Sequence, residues 1–368
     1  MIARGIGVTF AAALAVLTCM SVPAFAQEAA KSAAASGECE TLQAANPGLG
    51  TSQSVSAKME FASVWASFDL PGGPCGYASA EEHYNVLLDA SAAKGGPTKH
   101  SLSSLPDWSG SWGTENSTGE IAIVGRNSTR DGMAARLKPE AREVFMRDSQ
   151  MWLDDHAIDP ISFCLQPNFP RWFTEYGYRE QFLTPDRSVF YSQMVNQLRH
   201  IYTDGRAHPS AAWTNPAGEW LGYSIGFWDE DVLTIWTTGI KEGILQRNMP
   251  RQSGAMETIE RWRLVDMEGS AVKPNTLGAE FDLNARLEME LTMYDPTFIE
   301  PWHTVVAYYK EVEDTPENKE QNWVNSWDCV EGSNWYITEA GVVSQYAPGE
   351  KPPILDPDYW FNENYKHQ

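Results

Sequence analysis

Strict alternation of apolar and polar residues is the feature that most narrows what this chain can become. In "ARLEMELTMYDP", residues 285–296, Leu287, Met289, Leu291 and Met293 share one face, and Arg286, Glu288, Glu290 and Thr292 share the other. A period of two belongs to a β-strand with one face in a core. Strand-length runs of aromatic and β-branched residues recur from Gln181 onward: "SVFYSQMVN", "QLRHIYTDG", "WLGYSIGFW", "VLTIWTTGI", "METIERWRLVD" and "WHTVVAYYKE". Their separators are short and turn-like: "PDR" at 185–187, "DED" at 229–231 and "DP" at 295–296. Strands joined by tight turns pair as neighbours, which gives an antiparallel meander. A sheet of that size hides its edges by closing on itself. The expectation is a mainly β fold, a lipocalin-like antiparallel barrel over 106–312.

The rest of the chain frames that barrel. Two helices are expected before the strands. "SAEEHYNVLLDASAAKGG" carries a capping box in Ser79 and Glu82 and a stop at Gly95. "PEAREVFMRDSQMWLDDH" has Pro139 in its first turn. Residues 27–105 read as an N-terminal extension. Residues 313–368 read as an extension packed on the barrel, because Trp323, Trp327, Trp335, Tyr336, Tyr359, Trp360 and Phe361 are too many rings for a disordered tail.

Residues 1–26 have the form of a secretory signal: Arg4, an apolar run from Ile6 to Val22, then "AFA" ending at Ala26. The apolar run is short for a bilayer span. The expected location is therefore the periplasm or the exterior, after cleavage near Ala26 and without stable membrane insertion. Beyond the signal the chain has four cysteines, Cys39, Cys75, Cys164 and Cys329, and an even number in an exported protein favours disulfides. Local spacing favours Cys39–Cys75 and Cys164–Cys329 among the three connectivities. A formal net charge of −22 repels phosphate backbones and argues against a nucleic-acid partner.

Several clusters invite chemistry, and each has a plainer reading. "GYSIG", 222–226, matches the nucleophile-elbow pattern, but Ser224 lies inside a strand-like run and no helix follows, so a serine hydrolase is not indicated. In "HIYTDGRAHP", Asp204-Gly205 suits a tight turn, while His200 and His208 are left without a structural reason. "ERWR" puts charge on both faces of one strand, Glu260 with Trp262 and Arg261 with Arg263, so one charged set must point into a barrel. His303 shares its face with Val305, Ala307 and Tyr309, the side that reads as apolar. No histidine pair has metal-ligand spacing, and no cofactor is implied.

Several of these segments come together in a resemblance. "PDWSGSW" (106–112), Cys164 followed by "FPR" at 169–171, "DGRAHP", "GYSIGFWDEDVLTIWTTGI", "ERWRL" and "DPTFIEPW" resemble, in order, the motifs of an uncharacterised group of exported bacterial proteins. Glu230 stands where that group has glycine. The pair Gly110 and Trp112 also resembles the first-strand motif of lipocalins, which implies a Trp closing one barrel end with an Arg packed on it, for which Arg206, Arg261 and Arg263 are the candidates.

Two functions follow as expectations. The first is a periplasmic barrel that binds a small apolar or aromatic molecule, lined by Trp112, His200, Arg206, Trp228, Trp236, Trp262, Arg263 and Trp302. The alternative is a cofactor-independent lyase, hydratase or isomerase acting on a hydrophobic hydroxylated substrate in the same cavity. In it His208 or His303 would move a proton, and Tyr202, Arg261 or Arg263 would stabilise negative charge.

Overall fold

A computed structural model describes residues 77–114, 130–154, 156, 158–163, 165–173, 178–210, 215–245, 250–265, 286–310, 335–338 and 340–345. The signal segment, the four cysteines and most of the aromatic tail lie outside these residues. Three helices are described: α1 (Ala80–Ala93), α2 (Arg130–Ala135) and α3 (Pro139–Leu153). The strands are β1 (Trp112–Thr114), β2 (Arg179–Phe182), β3 (Arg187–Ser192), β4 (Gln197–Tyr202), β5 (Tyr223–Asp229), β6 (Val232–Thr238), β7 (Gly243–Ile244), β8 (Arg251–Gln252), β9 (Glu257–Val265), β10 (Arg286–Tyr294), β11 (Trp302–Lys310), β12 (Trp335–Ile337) and β13 (Val343–Gln345).

Nine strands close into a barrel in the order β1-β11-β10-β9-β6-β5-β4-β3-β2, and β7–β8 and β12–β13 are separate two-stranded ribbons. The closing seam is thin: β1 and β2 meet at one pair, Trp112 with Arg179. The expected barrel is present, with one departure from a pure meander, since β4 and β5 run parallel, Ile201 beside Ser224. The reason is parity. Strands in a ring alternate direction only if their number is even, so a nine-stranded ring must contain a parallel neighbour. The connection over 203–222 carries the chain back along the wall to make it.

Helix starts follow local chemistry. In α1 the Ser79 Oγ accepts from the Glu82 backbone N–H at 3.1 Å, and a Glu82 carboxylate oxygen accepts from the Ala78 N–H at 2.9 Å. Gly95, at φ +97°, lies just beyond the C-cap Lys94. Pro139 opens α3. Among the described residues no helix is long and apolar enough to cross a membrane.

The alternation in β10 works as read: Leu287, Met289, Leu291 and Met293 join the interior cluster. Burial on the other face is what the sequence does not announce, for all nine residues of β10 are buried. Part of the outer wall is covered by α1 and the residues just before it, with Tyr77, Ala80 and Tyr84 packed on Ile225, Phe227, Ile259 and Tyr294. The "GYSIG" segment is barrel wall. Gly222 sits at φ +64°, Ser224 points inward, and a Cβ on Gly226 would meet the Thr234 carbonyl oxygen at 2.5 Å.

Candidate functional site

Inward positions alternate down each strand: Arg179 and Gln181 on β2, Ser188, Phe190 and Ser192 on β3, and Gln197, Arg199 and Ile201 on β4. From β9 come Thr258, Glu260, Trp262 and Leu264. Two layers result, one charged and one aromatic.

The charged layer is an ion pair. Arg199 and Glu260 are 1% and 0% exposed, with Nη2 of Arg199 donating to Oε1 of Glu260 at 2.5 Å and Nη1 to Oε2 at 2.9 Å. The guanidinium also donates to the Ser224 hydroxyl at 3.0 Å and to Thr237 Oγ1 at 2.7 Å, and it lies 4.3 Å from the Phe169 ring centroid. Glu260 Oε2 accepts a further bond from the Trp262 indole N–H at 2.9 Å. Two charges withdrawn from water are tolerated when each polar edge is matched in this way. "ERWR" thus sends Glu260 and Trp262 inside. Arg261 and Arg263 lie on the outer wall, where Arg261 donates to Glu290 at 3.2 Å and burial lowers the Arg263 pKa to about 10.

The aromatic layer centres on Phe190 and Trp262. Phe190 is within 6.4 Å of Trp108, 6.3 Å of Trp172 and 5.2 Å of Trp262, counted between ring centroids. Trp262 lies stacked on Tyr308 at 5.5 Å, and Trp108 reaches Trp228 at 5.4 Å. Trp112 is fully buried, and its indole N–H donates to the Trp108 carbonyl at 2.9 Å. The arginine beside this Trp is Arg179, opposite it across the seam, and not Arg206, Arg261 or Arg263, which lie on the outer wall. Its guanidinium donates to the Trp172 carbonyl at 2.8 Å and faces the Trp172 and Tyr308 rings.

Several polar atoms in this layer are buried with no hydrogen-bond partner among the described residues. They are the indole N–H groups of Trp108, Trp172 and Trp228, both amide atoms of Gln181, and the hydroxyls of Ser188 and Ser192. Buried polar groups are nearly always paired, and each one left alone costs about 1–3 kcal/mol. These atoms concentrate round Phe190.

The other expected site residues fall elsewhere. His200 is exposed, on the opposite face of β4 from Arg199. Tyr202, Arg206, His208 and Trp236 do come together, but on the outer wall. Tyr202 and Tyr223 stack at 5.3 Å, and the Arg206 guanidinium lies 4.0 Å above Tyr202 while paired with Asp204 at 2.6 Å. The His208 ring stands edge-on to Trp236 at 4.4 Å and shares a hydrogen bond with Thr238 Oγ1 at 3.2 Å. Trp236 in turn donates to Glu257 at 2.9 Å. Trp302 is an interior residue, stacked on Phe298 at 4.4 Å. His303 lies opposite Thr292 in the β10–β11 register, and its side chain is outside the described set, while Trp302, Val306 and Tyr308 of the same strand join the core. Sequence reasoning passed over Arg179, Gln181, Ser188 and Trp172. Of these, only the alternation of Ser188, Phe190 and Ser192 offered a signal.

Burial lowers the pKa of His208 to about 4. An unfolded chain binds the proton near pH 6.5, so the folded state loses ground as pH falls from about 6.5 toward 4, and gains nothing above that window. Water reaches part of the ring and screens the penalty, leaving on the order of 1–2 kcal/mol. Glu257, raised by burial, runs the other way and so partly masks the effect in the wild type. The difference in denaturant stability between wild type and His208→Gln should therefore shrink from pH 7.5 to pH 5. A difference that stays constant across that range contradicts a histidine held neutral.

Comparison of the chain with protein-family models, with curated proteins and with solved structures returns no match.

Proposed function

We propose that this is an exported binding protein whose barrel interior holds a small apolar or aromatic molecule. One observation carries the reading. The buried ring cluster round Phe190 and Trp262 contains polar atoms that no described side chain satisfies. A core built only for stability pairs such atoms or replaces them with hydrocarbon. The Trp108–Trp228 and Phe190–Trp262 pairs, 5.4 and 5.2 Å apart, are packed tilted and edge-to-face, and a planar guest would extend that cluster rather than enter a gap in it. The leader-like residues 1–26 and the ordered motifs shared with exported bacterial proteins support export and family membership in this reading.

Binding is favoured over catalysis by where the titratable groups stand. The charged pair in the interior, Arg199 with Glu260, is committed to itself, and His200 and His208 belong to the outer wall. Titration with a panel of small aromatic compounds should quench buried tryptophan emission saturably, at one equivalent. Native mass spectrometry of protein drawn from its own periplasm should show a bound small molecule. Protein that does neither uses its rings as core alone.

A further inference from the structure

The unpaired atoms have a chemistry of their own. An indole N–H only donates, so Trp108, Trp172 and Trp228 call for acceptors. The Ser188 and Ser192 hydroxyls and the Gln181 amide N–H can donate as well, so donors outnumber the unpaired amide oxygens of Gln181 and Gln197. These residues are neighbours: Gln181 is the β2 partner of Phe190, Ser188 and Ser192 flank Phe190 on the inner face of β3, and Trp108 and Trp172 pack against its ring. All but Gln181, which is 5% exposed, are 2% exposed or less.

Among the described residues no full charge is on offer beside them. Arg199 is taken up by Glu260, Ser224 and Thr237, and Arg179 by the Trp172 carbonyl and two rings. An anion would have to shed its hydration against neutral donors, which costs several kcal/mol. A hydrocarbon would leave the same donors unpaired.

Resting on the interior-binding reading, we infer that the ligand is a neutral aromatic molecule bearing hydrogen-bond acceptors, such as a ring ketone or ether, and neither a hydrocarbon nor a fatty-acid-like anion. Three probes of similar size separate these classes: acetophenone, ethylbenzene and benzoate. In an apolar interior ethylbenzene would win, because it has no hydrated carbonyl to strip. Unpaired donors reverse that order.

Calorimetric or ligand-observed magnetic-resonance titration of the full chain should show acetophenone binding roughly threefold or more tighter than ethylbenzene, with benzoate weakest. Gln181→Leu and the milder Ser188→Ala should each bring the acetophenone-to-ethylbenzene ratio down toward or below one. Ethylbenzene binding best to the wild type overturns the inference while interior binding stands, and so does benzoate binding best. A ratio untouched in both folded variants overturns the assignment of these donors. Binding of none of the three removes the interior-binding reading along with the inference.

Discussion

Replacing Glu260 by Leu should lower the free energy of unfolding by about 3–5 kcal/mol, because it leaves the Arg199 guanidinium buried without its counter-charge. The loss belongs to the orphaned charge and only in small part to the missing attraction. A double variant, Arg199→Met with Glu260→Leu, removes both charges and should recover most of the stability. Denaturant melts of the two single variants and the double complete the cycle. A double variant as unstable as the sum of the singles would show that the two charges do not couple to each other. That result contradicts the buried ion pair described above.

The second large effect is expected at Trp262. This ring touches Trp108, Phe173, Phe190 and Tyr308 and also anchors Glu260 through its indole N–H. Trp262→Ala removes the layer's centre and should cost about 3–5 kcal/mol, the usual range for a large aromatic cut from a core. Leu198→Ala on the exposed outer wall is the control, expected to change stability by no more than about 0.5 kcal/mol. Equal costs at the two positions, read by thermal or denaturant unfolding, would mean that the interior is loosely filled and that Trp262 is no hub.

The barrel was legible because its longer strands announce themselves. In β10 four large apolar side chains alternate with polar ones, and the run maps onto Arg286–Tyr294 within a residue at either end. The helix starts were equally plain, since Ser79 with Glu82 and Pro139 work through local bonds and backbone geometry that need no tertiary partner. Legibility failed wherever the answer depended on which face looks inward. In β4 both faces mix polar and apolar residues, and nothing in "QLRHIY" says that Arg199 goes in and His200 stays out. That choice is made across the barrel by Glu260, 61 positions away. The histidine of "DGRAHP" was a reasonable candidate by type, yet its placement is set by a crossover whose path no local pattern encodes. At three residues, β1 is too short to carry a period at all.

An odd ring carries a topological debt. Because one pair must run side by side in the same sense, the polypeptide has to return the height of the wall between Tyr202 and Tyr223. Shortening that stretch below the span of a strand would break the ring's connectivity rather than trim a loop. Duplication or loss of a single strand would restore alternation and make the whole detour, with Arg206 and His208 on it, unnecessary.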